Sequence, residues 1–592
     1  MGLLILILLC IIFSPAWATD YYVSQAGAGA ANGTSAENAW AGWGNINWDT
    51  DGAGADTGVG AGDTLYVIGT LRRDTFPVNG YGLSEAQRVT IASDLSTAGE
   101  LWVGVEFASG SWVGPDAFGA YSQAVGADTN AIYAAEWSAA DSPWPGVTLT
   151  KKSGVPDGTW GNGSWYNDGA TTVYYKPSVP GTVRTVTGHA ATSRVFSISG
   201  ESYITISGLI LNSGNAISTG SSYFTFSGNT VYCVGTHDVH ALGIGSEGTA
   251  PSHYAVVSGN IFRDCKLGIS VNNQTNNDTY NNNYITIQGN TIYNMNQDQD
   301  SHAIGIQGGI GHIVANNTIY NVGTGITFWN QATQTMQNNT VKYNFIYHVG
   351  YYSDPTAPEY IAGDNGNGRG IEFSGETGDS DLTTGNVIYG NIINGCYRAA
   401  GGDPDGVGIR IKNGIPTTGY SIKAFNNTVR DCYSNFYLMP TGNEGYEVGA
   451  YLYNNISLSP KSGGTHITVQ TNGVTYDLDI NYNLYYPDGA ALFAYEGATY
   501  NLAGWKAAVS EDANSVLGDP QLSNAGGSYA LATDFMPWVF GAGVGQGADL
   551  GSTYATDYAG VTQGSLGGTW DIGAYYVAPV GKRYGTVTLG AP

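Results

Sequence analysis

Arg410 and Lys412 alternate along one short stretch, "GVGIRIKNG" (406–414), in a chain that holds only 21 Lys plus Arg among 592 residues. If that stretch is a strand, its alternate residues share a face, so both cations point the same way. Such a pair suits proton abstraction alpha to a uronate carboxylate. That reaction needs a base, and a cation to neutralise the carboxylate and stabilise an enolate-like intermediate. Arg410 can grip a carboxylate in bidentate fashion, and Lys412 is the candidate base, because neighbouring cations disfavour each other's charged forms. Tyr437 is the alternative base or the acid for the leaving group, and Glu372 can orient Arg410 or ligate calcium. Glycoside hydrolysis is the rival chemistry and needs two carboxyl groups about 5–10 Å apart. The strands offer Glu372 alone, so its partner must come from a loop, with Asp364, Asp403 and Asp405 as candidates. Asp403 and Asp405 in "GGDPDG", with Glu376, Asp379 and Asp381, are also the candidate hard oxygen ligands for Ca2+. They lack the fixed spacing of a calcium loop, and no other cofactor is expected.

The elements that must hold these residues follow from composition and repetition. Charged residues are 11% of the chain, Gly numbers 87 and Tyr 42, a profile of turns and stacked strands rather than amphipathic helices. The net charge of −26 argues against nucleic acid or an anionic membrane as partner, since both demand a basic footprint. Residues 1–18, "MGLLILILLCIIFSPAWA", fit a secretory signal peptide cleaved after Ala18. A secreted monomer, extracellular or periplasmic, is expected, and no later segment is apolar enough to span a bilayer. Cys233, Cys265, Cys396 and Cys432 are too few and too widely spaced for a disulfide framework or a zinc site, and are expected as buried thiols.

Between residues 191 and 490 one pattern recurs, as in "YITIQGNTIYNMNQDQDSHAIGIQGG" and "HIVANNTIYNVGTGITFWNQ". An apolar strand leads to an Asn turn, a T-I-Y strand, a corner, and a third strand starting near "GI". The turn residues Asn229, Asn260, Asn290, Asn317, Asn344, Asn391, Asn427 and Asn455 recur mostly every 27 to 31 positions, the mark of a solenoid. Asn is expected there because it tolerates the left-handed conformation and its amides can hydrogen-bond from coil to coil.

Three strands per turn with an Asn corner resemble the right-handed parallel β-helix of the pectate-lyase-like superfamily. "YYVSQAGAGAANGTSAENAW" and "AGDTLYVIG" resemble the opening segment and first coil of its secreted members, and "GDPQL", "FMPWVFGAG" and "DIGAYY" its closing segment. The implied organisation is an all-β chain. Residues 19–190 form the opening coils with a Trp-rich β subdomain inserted at about 95–185, 191–490 form the single-stranded β-helix, and 491–592 form a C-terminal cap. The insert's Trp residues are either core packing or a carbohydrate-stacking surface.

The resemblance also implies that the third strand of each coil carries the active cleft. Period-two alternation then predicts an outward, solvent-facing column of Ser270, Gly305, Thr327, Glu372, Arg410, Tyr437 and Thr468. A second column runs through Asn272, Gln307, Trp329, Ser374, Lys412, Met439 and Gln470. Trp329, Gln307 and His302 become candidate substrate-binding residues, His302 being either a ligand or a hydrogen-bonded structural histidine. Long corners precede Glu372 and Arg410, as functional loops on a regular scaffold do. "GIRIKNG" is similar to the R-I-K strand of polygalacturonases, but the chain has no N-T-D, no adjacent Asp pair and no G-H-G, so that mechanism does not carry over. The expected function is cleavage of an extracellular, acidic, uronate-containing polysaccharide by β-elimination. The alternatives are a glycoside hydrolase using Glu372 with a loop Asp, and a non-catalytic carbohydrate-binding or adhesin β-helix.

Overall fold

The computed structural model describes residues 18–577 apart from short breaks and the longer stretches 50–57, 125–132, 138–146, 152–161, 233–239, 273–280, 296–301, 351–367, 376–383, 398–405, 413–421, 441–447 and 471–475. The expected signal peptide and Cys233 lie outside the described residues. The chain forms two compact units, Met1–Val239 with Ser252–Asn260, and His240–Pro251 with Ile261–Pro592.

In the first unit, strands Asp20–Ser24, Thr64–Ile68, Val89–Ser93, Ile204–Ser207, Thr225–Ser227 and Val256–Ser258 pair in parallel. Thr70–Arg73, Glu100–Val103, Ile210–Asn212 and Thr230–Tyr232 form a second parallel row. Between the coils, strands from Val105–Phe107 to Thr185–His189 build two four-stranded, mainly antiparallel sheets, the inserted β subdomain. Trp165 is fully buried there, and Trp102, on the coil strand beside the insert, is 6% exposed, which favours packing over sugar stacking for these two.

The second unit is a right-handed parallel β-helix of three sheets. One holds the T-I-Y strands, among them Thr318–Val322, Phe345–Val349, Ile392–Cys396 and Thr428–Cys432. The site sheet stacks His302–Gln307, Thr324–Asn330, Arg369–Gly375, Val407–Lys412, Ser434–Met439 and Thr465–Val469. Inward residues of these strands, Ile326, Phe328, Ile371, Phe373, Ile409 and Ile411, are fully buried. Phe328 and Phe373 stack with centroids 4.6 Å apart, the spacing of adjacent coils. The glycine that opens these strands is steric: a Cβ on Gly370 would sit 2.6 Å from the Gly408 carbonyl oxygen of the next coil. That close approach explains the recurring "GI".

The Asn column forms a buried ladder. From Asn290 through Asn317, Asn344, Asn391, Asn427 and Asn455 to Asn483, each backbone N–H donates to the next side-chain Oδ1 at 2.9–3.0 Å. Ser515 Oγ ends it by accepting from the Asn483 N–H. The left-handed residue is not the ladder Asn, as expected, but the one before it: Asn316, Tyr343, Gly390, Asn426 and Asn454 have φ between 53° and 64°. The turn therefore divides its labour, one residue bending the chain and the next bonding the coils. One further expectation is corrected: Cys265 is disulfide-bonded, whereas Cys396 and Cys432, register partners on neighbouring coils, are buried free thiols as expected.

Candidate active site

The strand register places Gly305 beside Thr327, Thr327 beside Glu372, Glu372 beside Arg410, Arg410 beside Tyr437 and Tyr437 beside Thr468. Gln307, Trp329, Ser374, Lys412 and Met439 form the second column. Both columns match the alternation pattern. Their exposure does not: Glu372 is 3%, Arg410 2% and Tyr437 5% exposed, so this is a buried cluster rather than a solvated face. Alternation sets which side of the strand a side chain leaves; it says nothing about what lies over it, and charges that pair across coils can stay out of water.

The pairing is specific. Arg369 Nη1 donates to Glu372 Oε2 at 2.9 Å, and Arg410 Nη1 lies 3.3 Å from Glu372 Oε1. Each carboxylate oxygen thus has its own guanidinium. Arg410 Nη2 also reaches Met439 Sδ at 3.1 Å, fixing the guanidinium between two coils. Tyr437 Oη donates to Gln470 Oε1. Lys412 is half-buried at the end of its strand, and no hydrogen bond or ion pair joins its ammonium to a described residue.

Arg369 was not among the residues singled out from sequence. It falls outside the two outward columns, three residues before Glu372, where the strand leaves its corner. The available signal was density: Arg369, Arg410 and Lys412 are three of only 21 Lys plus Arg, on two adjacent coils.

His302 lies over Gly305, where a Cβ would fall 2.1 Å from its Cδ2, and packs on Trp329 with ring centroids 5.4 Å apart. No hydrogen bond joins it to a described residue. Burial, with the charge of His240 second, pushes its imidazole down to about 3, so it is neutral at ordinary pH. It lies two coils from Glu372, about 10 Å at the usual strand spacing. Gln307 is 5% exposed and donates to Gln334 Oε1 at 3.2 Å. Asp403 and Asp405, like Asp364, Glu376, Asp379 and Asp381, lie outside the described residues. Among the described residues no group of three or more His, Cys, Asp or Glu could hold a metal ion, and no helix is long and apolar enough to cross a membrane.

No family model matches the chain, and no curated protein matches it. Solved structures do. XylC in complex with xylose superposes with a TM-score of 0.58 at 13% identity, over 95% of this chain and 99% of that one. Pectate lyase Pel9A aligns over 95% of this chain and 98% of its own at 11% identity and a TM-score of 0.37. An alginate lyase from Paenibacillus sp. str. FPU-7 aligns over 50% of this chain and 96% of its own at 14% identity and a TM-score of 0.36. Identities of this size speak to fold and not to chemistry. With the three parallel sheets and the XylC superposition together, the chain has the right-handed parallel β-helix fold that its repeat implied.

Proposed function

We propose that the chain is a secreted polysaccharide-degrading enzyme, a lyase that cleaves a uronate-containing polysaccharide by β-elimination at the cluster of Arg369, Glu372, Arg410, Lys412 and Tyr437. The observation that carries the reading is the state of Glu372. Both its oxygens already accept from or pair with a guanidinium, so neither is free to present a proton to a glycosidic oxygen. A hydrolase would need that carboxyl as acid, or as base or nucleophile, with a second carboxyl nearby. Its candidate partners Asp364, Asp403 and Asp405 are outside the described residues.

Charge favours an acidic substrate. Two guanidinium groups against one carboxylate leave the cluster at +1, apart from the base Lys412, in a chain of net charge −26, which gives a polyanion one local reason to bind. In the mechanism, Arg369 and Arg410, held in place by Glu372, neutralise the uronate carboxylate. Lys412, whose side chain pairs with no described residue, is the base that takes the alpha proton, and Tyr437 supplies a proton to the leaving oxygen. His302, two coils from Glu372, and Trp329, one coil from it, form an apolar, uncharged step on which a neighbouring sugar ring can stack. The non-catalytic reading, in which the column is only a solvated face, loses support from the burial of Glu372 and Arg410.

The test is a screen on polygalacturonate, alginate and neutral glycans that follows unsaturated product by absorbance at about 235 nm beside release of reducing ends. Elimination gives both signals on a polyuronate. Reducing ends without absorbance would make the chain a hydrolase, and neither signal on the panel would favour the non-catalytic reading.

A further inference from the structure

The segment that closes the second unit exposes aromatic rings that the proposed chemistry does not use. Leu522, Tyr529 and Phe535 anchor it in a core with Phe345, Ile392, Ile456 and Leu458, which belong to the T-I-Y sheet and not to the sheet carrying Glu372 and Arg410. Leu522 and Pro537 form an antiparallel bridge with both residues buried. The Ser523 N–H donates to the Met536 carbonyl and the Trp538 N–H to that of Gln521, each at 2.9 Å. This pins a short two-stranded ribbon whose outer face is Gln521, Ser523, Met536 and Trp538. A turn closed by the Gly541 N–H on the Trp538 carbonyl at 2.8 Å then puts Phe540 at its tip.

The result is a fixed, open surface: Met536 is 38%, Trp538 60% and Phe540 77% exposed. Neither aromatic ring stacks on another described ring, and the Trp538 indole N–H bonds to no described residue.

Charge, area and neighbouring groups decide the occupant. Residues 507–581 contain no Lys or Arg and Asp519 and Asp534 flank the surface, while Arg430 stacks on Tyr529 in the segment's core, so an anionic membrane or a polyuronate is disfavoured. The exposed parts of the three side chains come to on the order of 400 Å², about half of the roughly 800 Å² per partner of a standard protein interface. Aromatic faces beside an amide and a hydroxyl suit the C–H faces and hydroxyls of pyranose rings. We propose that Trp538 and Phe540, with Gln521 beside them, form a non-catalytic binding platform for a neutral polysaccharide. The platform tethers the chain to a neutral matrix while the charged column takes acidic polymer.

The test is co-sedimentation of the full chain with microcrystalline cellulose, insoluble xylan and insoluble β-1,3-glucan, in 0.15 M salt. It scores binding alone, so its outcome is independent of the elimination reading. At least one of these polysaccharides should pellet the chain, and Trp538→Ala/Phe540→Ala should weaken that binding at least tenfold with an unchanged melting temperature; Phe540→Ala alone should weaken it severalfold. No pelleting with any of the three overturns the proposal, as does a double variant that pellets like the parent. Preferential binding to phosphatidylcholine vesicles, or a dimer in sedimentation velocity that the double variant abolishes, overturns it in favour of a membrane or a second copy.

Discussion

Replacing Glu372 by Gln tests whether the cluster is a charged network held out of water. The carboxylate faces one guanidinium nitrogen at 2.9 Å and another at 3.3 Å, and its side chain is 5% exposed, against 13% for Arg369 and 3% for Arg410. At an effective dielectric of about 20 each pair is worth about 5–6 kcal/mol of gross attraction. Desolvation of three charges and repulsion between the two guanidinium groups offset much of this, and removing one member of a buried pair typically costs about 3–5 kcal/mol. Because the Gln oxygen can still accept from one arginine, the lower end applies, about 3 kcal/mol. Arg369→Gln leaves the Glu372–Arg410 pair intact and should cost about 1–2 kcal/mol. Glu372→Leu combined with Arg410→Met removes a charge pair together and should recover much of the loss. Urea unfolding followed by tryptophan fluorescence reads all of these. A Glu372→Gln cost below about 1 kcal/mol, or a double variant costing the sum of its singles, would refute a buried, coupled network.

Other parts of the fold make separate predictions. Asn391→Ala removes an acceptor for the Asn344 N–H and a donor to the Val341 carbonyl; with buried groups left unsatisfied it should cost roughly 3 kcal/mol in the same urea assay. Gly370→Ala would bring a Cβ to 2.6 Å from the Gly408 oxygen and 2.7 Å from Ile393 Cγ2, so it should lose roughly 1–3 kcal/mol and disturb Glu372, two residues on. His466 is fully buried, its Nδ1 2.8 Å from Ser457 Oγ and its Nε2 2.8 Å from the Pro487 carbonyl oxygen. A carbonyl can only accept, so in the neutral ring Nε2 carries the proton and Nδ1 accepts from the Ser457 hydroxyl. Burial pushes it from 6.5 down to about 4, so as pH falls below 6.5 the unfolded chain gains a proton that the folded chain refuses. Stability should drop between pH 6.5 and 4 by roughly 3 kcal/mol from this group, and His466→Gln should flatten that part of the stability curve.

Much of this arrangement was legible in the sequence because it is periodic. Alternation around "GI" gave the register that sets Glu372, Arg410 and Tyr437 on successive coils, and the Asn spacing gave the ladder. What was not legible is what periodicity does not encode. Direction relative to the core follows from alternation, but burial depends on everything packed outside it, so Glu372 and Arg410 were expected in solvent. Arg369 escaped notice because it opens its strand with the parity of the inward residues Ile371 and Phe373, so neither outward column contains it. The left-handed turn residue was misplaced by one position because Asn suits both jobs, and only the backbone distinguishes bending from bonding. Cys265 entered a disulfide that spacing alone could not reveal.

The central claim is elimination at the charged column, and the most direct measurement is the initial rate of unsaturated product formation on a polyuronate by the parent chain and by Lys412→Ala. Loss of the base should lower the rate by a factor of about 10²–10⁴, with the melting temperature unchanged because Lys412 pairs with no described residue. A Lys412→Ala rate equal to that of the parent, or chain scission that yields reducing ends with no unsaturated product, would contradict it.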